Sequence, residues 1–187
     1  MKKIIMRLPE LDPAHLTLEQ QVIWDRIASG PRGGVRGPYF ALLQSPGLCE
    51  EFERLGRYLR YDCAVPHHLR ELSVLVVARR WKAQYEWFAH APIAAKAGIP
   101  ADVIEAIRIG ATPAFKQDDA RIVYEYATEL LTNGRVGDSK HKAAAALLGV
   151  RGIVDLVSFI GHYSNIALSL NAFEIGIPSG NPLPFPD

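Results

Sequence analysis

Glu86 and His90 stand four residues apart, a spacing that stacks both side chains on one face of a helix. Ala83, Ile93 and Ala97 fall on the same face, so a carboxylate and an imidazole share a stripe that is otherwise small and apolar. A carboxylate in such a place is costly unless it is paired. Beside it, a histidine gains proton affinity, which suits a proton donor near neutral pH. Glu71 poses the same problem one element earlier. It shares a helical face with Leu75 and Ala78 inside the most apolar stretch of the chain, Val74-Leu75-Val76-Val77-Ala78. A very short connection makes the two helices neighbours, and His90 is then the natural partner for Glu71. Each of the three alone is well explained as a buried hydrogen-bonded group that fixes packing. Together on facing helices they point to a proton-transfer site.

Other residues carry weaker signals. His67 and Glu71 are also four apart, so His67, Glu71, Glu86 and His90 could form a two-histidine, two-carboxylate metal set. This ranks below the other readings, because helical pairs of this type arise by chance and His67 sits at a helix start. Arg151, Asp155, Ser158 and His162 share one stripe of the last helix. A hydrolase triad is disfavoured there, since no sharp turn presents the serine. Arg32 and Arg36, in the loop Gly30 to Pro38, could clamp an anion or simply be solvated. Gly33-Gly34 follows no strand, so no phosphate loop is implied. Trp87 and Phe88 are expected to pack.

The elements that must position these groups are all helical. Thr17, with Gln20 three residues on, opens a helix to Ser29. Tyr39 to Gln44 reads as a helical turn. Ser45-Pro46 opens a helix towards Asp62, and Pro66 another through Lys82. The β-branched run at 74–77 also fits a strand; the opening proline, the length and Arg79-Arg80 at the end favour a helix. Gln84 to Ala97, Pro100 to Ile109, and Asp118 or Asp119 to Asn133-Gly134 follow. Ser139 caps a helix to Gly149, and a long one runs from Val150 to Phe173. The expected fold is all-α, one domain over 1–187 with about eight helices, an N-terminal arm (1–15) and an extended Pro-rich tail (178–187).

The 187 residues are 49% hydrophobic with net charge +1, enough for a real core and no field to attract nucleic acid. No window approaches the apolar length of a membrane span; the best, Gly152 to Gly161, is interrupted by Asp155. A cytoplasmic protein is expected, with Cys49 and Cys63 as ordinary thiols.

The segment Arg70-Glu71-Leu72 … Tyr85-Glu86-Trp87-Phe88-Ala89-His90 resembles the carboxymuconolactone decarboxylase family, which includes the alkylhydroperoxidase D proteins. Gly37-Pro38, Ser45-Pro46 and Leu170-Asn171-Ala172-Phe173 extend the resemblance over nearly the whole chain. The peroxidase branch carries Glu, eleven residues, Cys, two residues, Cys, three residues, His. On this chain the glutamate falls on Glu71 and the histidine on His90, while the cysteines fall on Ala83 and Glu86. The resemblance implies an all-α trimer or hexamer with no metal and no organic cofactor. Without the two thiols it implies the decarboxylase side of the family rather than the peroxidase side. His90 would be general acid or base, Glu71 would set its tautomer, and Glu86 would orient it or the substrate. Tyr85, Arg32, Arg36, His162 and Tyr163 are the expected substrate-binding residues, and a small molecule is the expected partner. A catalytically silent oligomeric binding protein on the same scaffold is the alternative.

Overall fold

A computed structural model describes residues 6–31 and 33–185. Eight helices are described: α1 Leu18–Ser29, α2 Tyr39–Leu42, α3 Pro46–Arg57, α4 His67–Arg80, α5 Gln84–Lys96, α6 Ala101–Ile109, α7 Asp118–Asn133 and α8 Asp138–Ala172. No strand occurs among the described residues. Thr17 and Gln20 exchange the two bonds of a capping box at the start of α1. Gly134 ends α7 in the left-handed conformation. The valine-rich run at 74–77 is helix, as the flanking signals required.

Several boundaries differ from expectation for local reasons. Pro66 and Pro100 cap α4 and α6 from outside, because both keep an extended ψ and the helix begins one residue later. Ser45 makes no side-chain cap, although Pro46 does open α3. At the start of α8, Gly137 rather than Ser139 is the capping residue. Gly149 breaks α8 with φ of 69°, so the two expected helices meet there without a loop. The largest departure is at 58–62. The regular helix expected to reach Asp62 stops at Arg57, and a π-helical turn, Tyr58–Asp62, takes over.

That turn is secured by long-range contacts which no local pattern announces. The Cys63 N–H bonds the Tyr58 carbonyl at 2.9 Å. Arg70 donates to the Leu59 carbonyl at 3.3 Å. Asp155 of α8 accepts from the Ala64 N–H at 2.8 Å and from the Tyr58 hydroxyl at 3.1 Å.

α4 lies at the centre and packs on α5, α6, α7 and α8. Leu72, Val74, Leu75, Val77 and Ala78 are wholly enclosed; burial of each large side chain there is worth about 1.5–3 kcal/mol. A second, smaller cluster joins α1, α2 and α3 through Ile23, Ile27, Leu43 and Cys49. The three-residue link 81–83 returns the chain from α4 to α5 and is held by Asn171, whose amide donates to the Trp81 carbonyl at 2.6 Å.

By length and composition α8 is apolar and long enough to cross a membrane, which corrects the expectation of no such window. Its inner face, with Leu156, Phe159 and Ile160, is buried against α4 and α7, which is how the core helix of a globular domain passes the same test. The arm and the tail both pack on the chain's own helices. Arg7 pairs with Glu174, and its N–H bonds the Phe173 carbonyl at 3.0 Å. Phe185 meets Trp87 edge-on at 5.1 Å and exchanges hydrogen bonds with Gln84 at 2.9 and 2.6 Å. The apolar area of Phe185, 3% exposed, holds the tail on its own chain.

Candidate active site

α4 presents Glu71 and α5 presents Glu86 and His90 at the same point in the core, with exposures of 2%, 3% and 4%. His90 Nδ1 lies 2.7 Å from Glu71 Oε2. A carboxylate only accepts, so Nδ1 carries the proton and the tautomer is set. The other ring nitrogen, Nε2, lies 3.4 Å from Glu86 Oε2. With Nδ1 engaged by Glu71, Nε2 is the ring nitrogen through which His90 can exchange a proton.

Burial alone would raise the Glu71 pKa. The hydrogen bond and charge of His90, with the charges of Arg60 and His67, outweigh burial and hold it below the ordinary value. His67 Nε2 stands 3.6 Å from Glu71 Oε1, too far for a hydrogen bond, and His67 is exposed. Among the described residues no three or more His, Cys, Asp or Glu side chains are disposed to hold a metal ion, so the His67-based metal set finds no support in the geometry.

The expected substrate-binding residues divide. Tyr163 is 4% exposed and meets the His90 ring edge-on at 5.2 Å. His162 stands behind it: its ring stacks on Phe52 at 4.2 Å and meets Tyr163 at 5.6 Å. Tyr85 is half-buried near Glu86 and Arg36, and its pKa is raised by burial and by Glu86, against the charge of Arg36. Arg36 is exposed and donates to the Gly33 carbonyl at 3.3 Å. Arg32 lies outside the described residues. The stripe of Arg151, Asp155, Ser158 and His162 does not converge: Asp155 serves the π-turn, Ser158 is exposed, and His162 stacks on Phe52.

One residue was missed. Arg60, half-buried on the π-turn, acts electrostatically on Tyr163, Glu71 and Glu86. Read as regular helix, 58–62 gives Arg60 no special direction; only the π geometry, frequent at functional sites, would have flagged it.

Gly37 explains how Tyr85 is seated. Its φ is 55°, and a Cβ there would fall 2.3 Å from Tyr85 Cε1. Gly37→Ala is expected to displace the Tyr85 ring and destabilise the fold by about 1–3 kcal/mol. Urea melts and the fluorescence of the neighbouring aromatics would check this; an unchanged midpoint would show that the ring yields freely.

Two surface clefts, of about 380 and 390 Å³, lie elsewhere, one beside Arg26 and Arg57 and one beside Tyr124 and Lys140. Glu71, Glu86 and His90 line neither cleft, and all three are buried.

Known structures share this architecture. An uncharacterized peroxidase-related protein from Ralstonia eutropha JMP134, described as an alkylhydroperoxidase D core, matches with a TM-score of 0.78 at 15% identity, over 94% of this chain and 93% of that one. An uncharacterized peroxidase-related protein from Silicibacter sp. TM1040 matches at 0.74 and 17%, over 95% and 94%. The fold is that of the alkylhydroperoxidase D core. A debrominase solved as a cysteine-to-alanine variant with 2,3,4-tribromopyrrole also has it, at 0.71 and 13%, over 96% and 94%. No family model matches the sequence, and no curated protein does. At these identities the likeness establishes the alkylhydroperoxidase D-like fold and leaves the chemistry to be argued from the residues in place.

Proposed function

We propose that this chain is a cofactor-independent enzyme of the decarboxylase type, acting on a small carboxylated lactone or ring acid. The observation that carries the reading is the buried Glu71–His90–Glu86 set, in which Nδ1 is held by Glu71 at 2.7 Å and Nε2 stands 3.4 Å from Glu86. In the step envisaged, the bond between the ring and its carboxylate breaks and CO2 leaves. The electron pair stays in the ring as an enolate, and His90 delivers its Nε2 proton to carbon. Glu71 keeps the Nδ1 proton throughout and stabilises the imidazolium before transfer. Solvent restores one proton per turnover to the Glu86–His90 pair.

The positions that would carry thiols on this scaffold hold Ala83, wholly buried, and Glu86. Cys49 is enclosed, and burial pushes its thiol up to about 12, far from a reactive thiolate. One neighbour of this fold holds a substituted five-membered ring, which supports a small ring as ligand here. The buried site would equally suit a silent binding protein.

Incubation with a panel of unsaturated lactone acids separates these readings. Loss of ring absorbance with stoichiometric CO2 is expected, and thiol-dependent peroxide consumption is not. Peroxide turnover that disappears in a Cys49→Ser, Cys63→Ser variant would overturn the proposal.

A homo-oligomer, a trimer or hexamer, is part of the same reading. Val150, Val154, Val157 and Leu168 are all exposed on one side of α8 beyond Gly149, at spacings of four, three and eleven residues. Such a seam is what a second helix covers. Val154→Asp is expected to shift the mass in light scattering to that of one chain; an unchanged mass would place the interface elsewhere.

A further inference from the structure

A substrate must touch His90 to exchange a proton with it, yet Glu71, Glu86 and His90 are only 2%, 3% and 4% exposed. Part of their surroundings has to move. The first turn of α5 is the part least secured by its own helix. N–H groups of a first turn have no partner within the helix. Ala83, which precedes α5, supplies no side-chain cap. Pro92 inside α5 withholds the bond to the Phe88 carbonyl, so the opening turns are tied to the rest by one bond fewer. Glu86 stands in that first turn.

What holds the turn comes from far along the chain. The Gln84 amide donates to the Phe185 carbonyl at 2.6 Å, and the Phe185 N–H donates to the Gln84 side-chain oxygen at 2.9 Å. The Phe185 ring meets Trp87 edge-on at 5.1 Å, and the Arg79 guanidinium lies 5.6 Å from its centroid. Arg108 of α6 donates to the Pro184 carbonyl at 2.8 Å. Pro184-Phe185 is thus fastened from α4, α5 and α6 at once. Its two holds on α5, Gln84 and Trp87, bracket Glu86 in sequence. A ring buried only for stability would lower the melting temperature when removed and leave the site no more open than any other part of the core.

We propose that Phe185 and Gln84 are positioning residues for this site: they hold Glu86 beside His90 Nε2, and their release opens the way to that nitrogen. The proposal deepens the functional reading above and rests on it only for the identity of the site. Phe185 supplies the buried anchor, and the paired hydrogen bonds with Gln84 fix the anchor to the turn that carries Glu86.

The test needs no substrate. Diethyl pyrocarbonate acylates an accessible, unprotonated imidazole nitrogen. Its rate at His90 is followed by peptide mass mapping in wild type, Phe185→Ala and Gln84→Ala, relative to the exposed His15 of the same chain. Val123→Ala, a cavity in α7, is the control for general loosening, and all are compared at the same interval below their melting temperatures. Phe185→Ala is expected to raise the His90-to-His15 ratio about tenfold or more, equivalent to about 1.4 kcal/mol in the opening equilibrium. Gln84→Ala should raise it by a smaller factor, and Val123→Ala should leave it at the wild-type value. The ring ¹⁵N signal of His90 Nε2 should move in the first two variants, as Glu86 leaves it. Gln84→Ala keeps the buried ring and decides the matter where Phe185→Ala does not fold. A ratio or signal that stays at its wild-type value, or an equal rise in Val123→Ala, overturns the proposal. Failure of every lactone acid to release CO2 leaves this result standing, so the two readings fail separately.

Discussion

Replacing His90 with alanine is expected to lower stability by about 3–5 kcal/mol, the usual consequence of leaving one member of a buried ion pair alone. Glu71 is 2% exposed and would lose its 2.7 Å partner while remaining out of reach of water. The pH dependence gives the signature. In the wild type the Glu71 pKa is held below 4.5, so its contribution is complete above that value and is lost as pH falls through the lower, folded value. In His90→Ala burial meets weaker opposition, the folded pKa rises, and acid should stabilise the variant relative to its own neutral-pH state. Adding Glu71→Gln should return much of the loss, because an amide needs no counter-charge; the double-mutant cycle, read from urea midpoints between pH 4 and 8, measures the coupling. A loss under about 1 kcal/mol, the range of exposed pairs, would show that the site is open to water in solution. On the functional side, turnover with an accepted lactone acid should fall by about two to four orders of magnitude. Full turnover in His90→Ala would remove it as the proton donor.

The second large effect is expected at Asp155, far from His90 in sequence and absent from its contacts. Asp155→Ala removes the acceptor of the Ala64 N–H and of the Tyr58 hydroxyl. Hydrogen bonds to a charged group are worth about 1.5–3 kcal/mol each, so a loss of about 3 kcal/mol or more is expected. Asp155→Asn keeps one acceptor oxygen and should lose roughly half of that. The structural consequence is local: hydrogen exchange at Ala64 and through 58–63 should accelerate well beyond the change in global stability. If Ala64 exchange tracks only the global unfolding rate, Asp155 is an ordinary core contact and the π-turn stands without it.

Both predictions show which parts of this protein were legible in the chain. The helices announced themselves because their signals are local: a capping box at Thr17 and Gln20, a left-handed glycine at Gly134, and an apolar run at 74–78 set between an opening proline and closing arginines. The Glu71–His90–Glu86 set was legible for a related reason. A carboxylate in an apolar stripe must find a partner, and a three-residue link leaves few candidates. Where only one end of an interaction lies nearby in sequence, the reading stopped short. The π-turn at 58–62 depends on Asp155 and Arg70, remote groups that supply bonds an α-helix would have found within itself. With the turn went the direction of Arg60. The tail behaved likewise: its prolines ruled out a helix, but only the space beside Trp87 decided that Phe185 would fold back onto its own chain. Sequence by itself determined the helices and the need for a partner at Glu71, because propensity and desolvation act within a few residues. Tertiary structure decided the burial of the site and the neighbours of its histidine, because those depend on contacts between residues far apart in the chain.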